Sequence, residues 1–237
     1  MTTTYELVNR IPPGALLADR AYAELRASIL ENRLKPGTPL SVPALAEQLN
    51  VSRSPVREAV QRLIHDGLAT HVPHRGAEVS RVDVADLRHL YLVREELEGL
   101  AARLATERLD VSDLAELDAV LAEHEEVATA GGGEGAHVRQ DMRFHRLIRR
   151  LSGNPHLIAI LDQIEGKAHL ALHSLWRHPH APALAVEEHR RIYDAMAAGD
   201  PAEAERAARA HVARLRVRLS QAAELQAAED TGPVRPS

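Results

Sequence analysis

The chain has 237 residues, 45% of them hydrophobic, and a formal net charge of −5. That length is enough for one large or two modest domains, each with its own core. It contains no cysteine, which excludes disulfides and thiolate metal sites, and its 3% aromatic content argues against the stacking platforms that hold single-stranded nucleic acid.

In chain order, residues 1–17 read as a flexible arm. No apolar run approaches the ~18 residues of a membrane span. The opening "MTTTYELVNRIPPG" lacks the basic-then-apolar pattern of a signal peptide, so a cytoplasmic location without membrane contact is expected. From Asp19 to Asn32, Tyr22, Leu25 and Ile29 fall at helical spacing. "LKPGTPL" breaks that helix at Pro36 and Gly37. A short helix follows from about Pro43 to Leu49, with Asn50 able to end it in a left-handed conformation. A third helix runs to about Asp66 and stops at Gly67. "LATHVPHRGAEVSRV" then reads as a small hairpin with a Pro-His-Arg-Gly tip.

Beyond Val84 the pattern is helical only, over roughly 83–108, 112–129, 137–151, 156–178, 183–198 and 201–227. "AGGGEGA" at 130–136 reads as a flexible loop, and "SGNP" and "HPHAP" as turns. Asp200 is placed to cap the last helix, with Pro201 at its first position. The last ten residues, 228–237, read as a disordered tail. The expected fold is mainly α: a three-helix unit with a small β-hairpin over 18–81, then an all-α bundle over 82–227.

The third helix presents a particular chemistry. Val56, Ala59, Val60, Leu63 and Ile64 form a stripe that must face a core. Arg53, Arg57 and Gln61 project away from it. Ser52 can cap the first turn, and Pro55 stiffens it where its missing N–H costs nothing. A stiff, cationic helix start attracts phosphate, and arginine forks read guanine edges in the major groove. The alternative is an ordinary solvated face, with Arg57 paired to Glu58 or Glu47. Charge leans weakly toward nucleic acid: residues 1–80 hold 9 Lys+Arg against 8 Asp+Glu, and the remainder holds 20 against 26. His74, Arg75 and Gly76 at the hairpin tip suit a wing that touches the minor groove or backbone.

"LKPGTPLSVPALAEQLNVSRSPVREAVQRLIHDGLATHVPHRGAEV" resembles the winged helix–turn–helix of the GntR family of bacterial transcription regulators. The resemblance implies contacts to double-stranded operator DNA from Ser52, Arg53, Ser54 and Arg57, and from the wing residues Arg75 and Gly76. Many members carry a DNA-contacting arginine near the start of the second helix. Here "SVPAL" places Pro43 there, which implies that this contact is absent or taken over by Ser41.

The helical bundle carries polar residues on inward faces. Asp141, Phe144, His145 and Ile148 share one face of the 137–151 helix. His189, Ile192, Tyr193 and Met196 share one in 183–198, and Ala204, Ala208, His211 and Leu215 share one in the last helix. Burying one carboxylate and three imidazoles without partners costs several kcal/mol. A divalent ion such as Zn, Ni, Mn or Fe satisfies all four at once. Against this, the chain has 14 histidines, and a histidine on an apolar stripe is often a hydrogen-bonded core residue. His169 and His173 offer a rival i, i+4 pair, but they lie off the buried stripe of their helix and read as surface or rim.

"DMRFHRLIRRLSGNP" and "EEHRRIYDAMAAGDPAEAERAARAH" resemble the ligand-binding FCD domain of the FadR subfamily. In many such domains an aspartate and three histidines at these positions bind a metal that helps hold a small organic acid. All four are filled here, which implies the metal-binding branch, not the acyl-CoA-binding one. "LVREELEGLAARLA" resembles the first helix of that domain, and Arg94 on it can grip a carboxylate effector bidentately or pair with Glu98 at i, i+4. Trp176 can line the pocket or sit in the core.

The reading expected from all this is a ligand-responsive transcription regulator, most simply a repressor, that binds operator half-sites as a homodimer and associates with the nucleoid. The alternatives are a metal-dependent hydrolase with an accessory basic domain, which lacks a placed general base such as HExxH supplies, and an architectural DNA binder with a structural metal.

Overall fold

The computed structural model describes residues 17–81, 84–176 and 181–230. It is mainly helical, with α1 (Leu17–Leu30), α2 (Val42–Leu49), α3 (Arg53–His65), β1 (Ala69–Val72), β2 (Gly76–Val79) and α4 (Val84–Thr106) in order. Then come α5 (Val111–Thr129), α6 (Glu134–Leu151), α7 (Pro155–Trp176), α8 (Ala181–Ala197) and α9 (Pro201–Asp230). The expected arm and tail fall outside the described residues, except that Leu17 opens α1 and 228–230 continue α9. The side chains of His169, His173 and Trp176 also lie outside them.

The chain divides into two compact units. The first holds α1 to β2 and takes in Gln163–Leu170 of α7; the second holds α4 to α6, the rest of α7, α8 and α9.

In the first unit, α1 packs on α3. Ala21, Leu25 and Ile29 are buried, as are Val56, Ala59, Val60 and Leu63. Tyr22, expected on the α1 stripe, is only half-buried: its hydroxyl donates to Asp66, and the Arg62 guanidinium lies 4.2 Å from its ring centroid. A tyrosine keeps its polar tip partnered in this way, and Ala21 takes the core position.

Asn50 ends α2 at φ 56, with its N–H on the carbonyls of Ala46 and Glu47. Ser52 occupies the N-cap position of α3 with extended backbone, but its side chain makes no capping hydrogen bond. This corrects the expected cap and leaves the first-turn N–H groups to solvent or a ligand.

The hairpin is antiparallel, with register Ala69↔Val79 to Val72↔Gly76. Its tip needs left-handed backbone, which His74 adopts at φ 62 and Gly76 at φ 91. Sequence reasoning missed a third edge. Val79 N donates to Thr38 O at 2.9 Å and Leu40 N to Ala77 O at 2.7 Å. Pro36 and Gly37 read as breakers, yet the chain bridges β2 at Pro39 just beyond them, and proline is tolerated on a sheet edge where no N–H is required.

In the second unit, Leu87, Tyr91, Arg94, Glu98, Ala101 and Ala105 are buried along α4 at alternating spacings of four and three. That stripe packs along α9, which buries Ala204, Ala208, His211, Leu215 and Leu219. Asp110 and Asp113 close a capping box on α5, with Asp110 Oδ1 accepting from the N–H of Ser112 at 2.8 Å and of Asp113 at 2.9 Å. α6 begins at Glu134, so the glycine loop is shorter than expected; Gly133 supplies the extended N-cap and Glu134 favours the positive helix end. Asp200 caps α9 as expected, accepting from Glu203 N at 2.9 Å.

Candidate metal centre and nucleic-acid interface

Ser52, Arg53, Ser54 and Arg57 are all exposed on the first two turns of α3, opposite its buried stripe. Arg75 and Gly76 are exposed at the hairpin tip of the same unit. Pro43 lies in the first turn of α2, and Ser41 sits exposed just before it. The first unit therefore presents a cationic helix start and a basic wing.

In the second unit the sequence-selected cluster comes together. Asp141 and His145 on α6, His189 on α8 and His211 on α9 are all buried, and one ligand atom from each lies within 4.8 Å of all the others. His189 Nε2 is 3.4 Å and His145 Nε2 3.9 Å from Asp141 Oδ1. The rings crowd one another: His189 and His211 centroids are 4.7 Å apart, and His145 and His211 are 5.2 Å apart. Phe144 stacks on His189 at 4.3 Å and closes one side.

Among the described residues, His145 Nε2, both nitrogens of His189 and His211 Nε2 have no hydrogen-bond partner. Buried polar atoms left without partners are costly. Three imidazoles and a carboxylate facing one point are a donor set that fits Zn, Ni, Mn or Fe.

Around this set lie charged residues that the sequence did not place at the cluster. Glu98 on α4, fully buried, accepts from Arg94 Nε at 3.2 Å and from Arg149 on α6, and one of its oxygens is 3.7 Å from His145 Nδ1. Burial pushes the Glu98 carboxyl up, but Arg149, His145 and Arg94 outweigh it and hold it well below the usual range. Glu188 on α8 bonds His211 Nδ1 at 2.8 Å and takes Arg214 and Arg218 as well. Of the two readings of Arg94, the pairing with Glu98 is the one present in the structure. Arg94 forms the i, i+4 pair with Glu98, its Nη1 donates to the Tyr91 hydroxyl at 3.3 Å, and its Nη2 is buried without a partner. His124 on α5 and His137 on α6 are also buried, and the His124 ring lies 5.7 Å from His189.

The missed residues carried a signal. Glu98 continues the α4 stripe four residues after Arg94. His124 completes Leu117, Val120 and Leu121 at i, i+3, i+4, i+7.

Burial keeps three of the imidazoles neutral: His145 and His124 are each pushed down to about 3, and His211 is lowered too. In the unfolded chain these rings take up protons near pH 6.5. Between that pH and about 3 the unfolded state binds more protons, so metal-free protein loses stability as pH falls. The slope approaches about 1.4 kcal/mol per pH unit for each such ring. Urea midpoints of chelator-treated protein are expected to fall between pH 7.5 and pH 5; equal midpoints would mean that these rings are not held neutral.

A winged helix–turn–helix with a cationic reading helix, joined to a helical domain with a buried Asp/His cluster, defines the class of DNA-binding regulators with a sensory domain. The model described as bacterial regulatory proteins, gntR family, matches residues 17–79, and that of the FCD domain matches 89–214. The chain belongs to the GntR family, in the FCD-containing architecture of the FadR subfamily.

It is 30% identical over 173 residues to an uncharacterized HTH-type transcriptional regulator, YdhC, of Bacillus subtilis, covering 73% of this chain and 77% of that one. It is 35% identical to a probable D-xylose utilization operon transcriptional repressor of Paenarthrobacter nicotinovorans, covering 78% and 80%. Its fold is similar to that of Escherichia coli McbR/YncC, with a TM-score of 0.78 at 26% identity over 88% of this chain and 99% of that one. The family is one of DNA-binding transcriptional regulators and not of enzymes, so the hydrolase reading is set aside. No helix among the described residues is long and apolar enough to cross a membrane.

Proposed function

We propose that this regulator is a cytoplasmic, nucleoid-associated repressor whose operator binding is controlled by a small organic acid held at a metal site in the second unit. The observation that carries this reading is the buried convergence of Asp141, His145, His189 and His211, with ring nitrogens that no group among the described residues hydrogen-bonds. The metal, when bound, supplies Lewis-acid coordination for an oxygen of the effector. Asp141 and the three histidines hold it, and the partnerless Nη2 of Arg94 offers a charge-assisted donor to a carboxylate. Burial of this whole set excludes water and strengthens that donation.

On the DNA side, Arg53 and Arg57 are placed to read base edges, Ser52 and Ser54 to meet phosphate or bases, and Arg75 and Gly76 to touch the minor groove or backbone. A single head with so few base contacts binds weakly, which supports a homodimer on two half-sites about one helical turn apart. The test is operator binding followed by anisotropy, with metal-free and with Zn-, Ni- or Mn-loaded protein, across a panel of small carboxylates. One or more acids are expected to change the operator affinity of loaded protein only. An affinity indifferent to both metal and every acid would leave an architectural binder in its place.

Arg57→Ala is expected to weaken operator binding by about 1–3 kcal/mol and to relax base preference at one position of each half-site. Competition between operator and random DNA at fixed salt measures both. Unchanged affinity for both would remove Arg57 from the interface.

A further inference from the structure

Glu188 and His189 are neighbours on α8, so their side chains diverge by about 100° around the helix. His189 turns to the Asp141 cluster, whereas Glu188 turns to α9. There it is buried at 4% exposure, yet it carries more polar contacts than any single ion pair requires. Its Oε1 accepts from Arg214 Nε at 2.7 Å and Arg218 Nη1 at 2.9 Å. Its Oε2 accepts from Arg218 Nη2 at 2.8 Å and lies 2.8 Å from His211 Nδ1.

Guanidinium groups only donate, and two of them on one carboxyl favour its anionic form, which only accepts. The proton between Glu188 and His211 therefore sits on Nδ1 of the imidazole. A neutral ring with its proton on Nδ1 carries its lone pair on Nε2. That nitrogen is buried, partnerless and part of the Asp141 cluster.

From this geometry we infer that Glu188 is a positioning residue for the metal centre: it selects the Nδ1–H tautomer of His211 and aims the Nε2 lone pair at the ion. The inference rests on the metal reading of the cluster and extends it to a residue outside the ligand set. Arg214 and Arg218 hold Glu188 in place from partly exposed positions on α9, at 42% and 23% side-chain exposure. Without the carboxylate, Nδ1 would lose its acceptor, and the ring would be free to carry its proton on Nε2 and face the ion with an N–H. A carboxylate behind a ligating histidine also raises the ring's basicity and fixes its orientation.

The test has two arms on the full chain. In the first, ¹⁵N-labelled metal-free wild-type protein is read by NMR for the His211 tautomer, with the resonance assigned by its loss in His211→Asn. A proton on Nδ1 and a bare Nε2 are expected, and a proton on Nε2 overturns the inference. In the second, Zn and Ni affinities of wild type and Glu188→Gln are compared by competition with a coloured chelator. Glutamine keeps the shape but can donate to Nδ1, so affinity is expected to fall about 10–100-fold. Affinity within twofold of wild type overturns the inference. Should wild type bind neither ion, the metal reading itself fails, and the tautomer arm, which needs no metal, still decides what Glu188 does to His211. It decides the same point if the glutamine variant does not fold.

Discussion

His189→Ala is expected to abolish stoichiometric metal binding and the response to effector while leaving DNA binding by the metal-free protein intact. His189 is fully buried, stacks on Phe144 and places its Nε2 3.4 Å from the Asp141 carboxylate. It comes from α8, whereas the other donors come from α6 and α9, so its loss removes one of the three helices that the ion would join. In wild type, an ion at 100-fold its dissociation constant stabilises the fold by about 2.7 kcal/mol, and the variant is expected to lose nearly all of that increment. Elemental analysis after reloading with Zn, Ni or Mn, with thermal unfolding at matched ion concentration, measures both effects. Equal stoichiometry in the two proteins would remove His189 from the site.

Arg149→Met is expected to destabilise the metal-free protein by about 3 kcal/mol. Arg149 and Glu98 are 1% and 2% exposed, and they pair across α6 and α4. Methionine fills much of the volume but leaves the Glu98 carboxylate in the core with Arg94 as its remaining guanidinium. Breaking one partner of a buried pair is costly because a charge remains without its compensation, whereas replacing both partners is often nearly neutral. The double variant Arg149→Met with Glu98→Gln is therefore expected to recover part of the loss. Urea unfolding of chelator-treated proteins measures the differences, and a single variant as stable as wild type would show that the pair contributes nothing net.

Much of this protein is readable from periodicity and punctuation. The α2–α3 turn follows from Asn50 and from the apolar stripe that begins at Val56, and the exposed Arg53 and Arg57 follow from that stripe's opposite face. The hairpin follows from the β-branched runs around Pro73–Gly76. The inward placement of Asp141, His145, His189 and His211 is legible because each shares a helical stripe with residues that must be buried. The expected Ser52 side-chain cap is not present, although Ser52 holds the extended N-cap backbone. The pairing of Thr38–Leu40 with β2 was hidden by the stop signals Pro36 and Gly37, while Pro39 within it is harmless on an edge.

The sequence by itself carried the motifs that resemble the family, the order of the elements and which face of each helix turns inward. The last two depend on neighbours three or four positions away, and spacing records them directly. Only the tertiary structure decided that Glu188 meets His211 and that Glu98 holds Arg149 and Arg94 at once. Charged residues are read as solvent-facing by default, so Arg149 was not expected to be buried, and the stripe position of Glu98 was outweighed by its charge. Which inward side chains meet is set by how far one helix is shifted along another, and that shift depends on the packing of whole stripes. The cluster itself shows the division. The i, i+4 spacing of Asp141 and His145 is written in α6, but their meeting with His189 and His211 exists only because α6, α8 and α9 pack with those turns level.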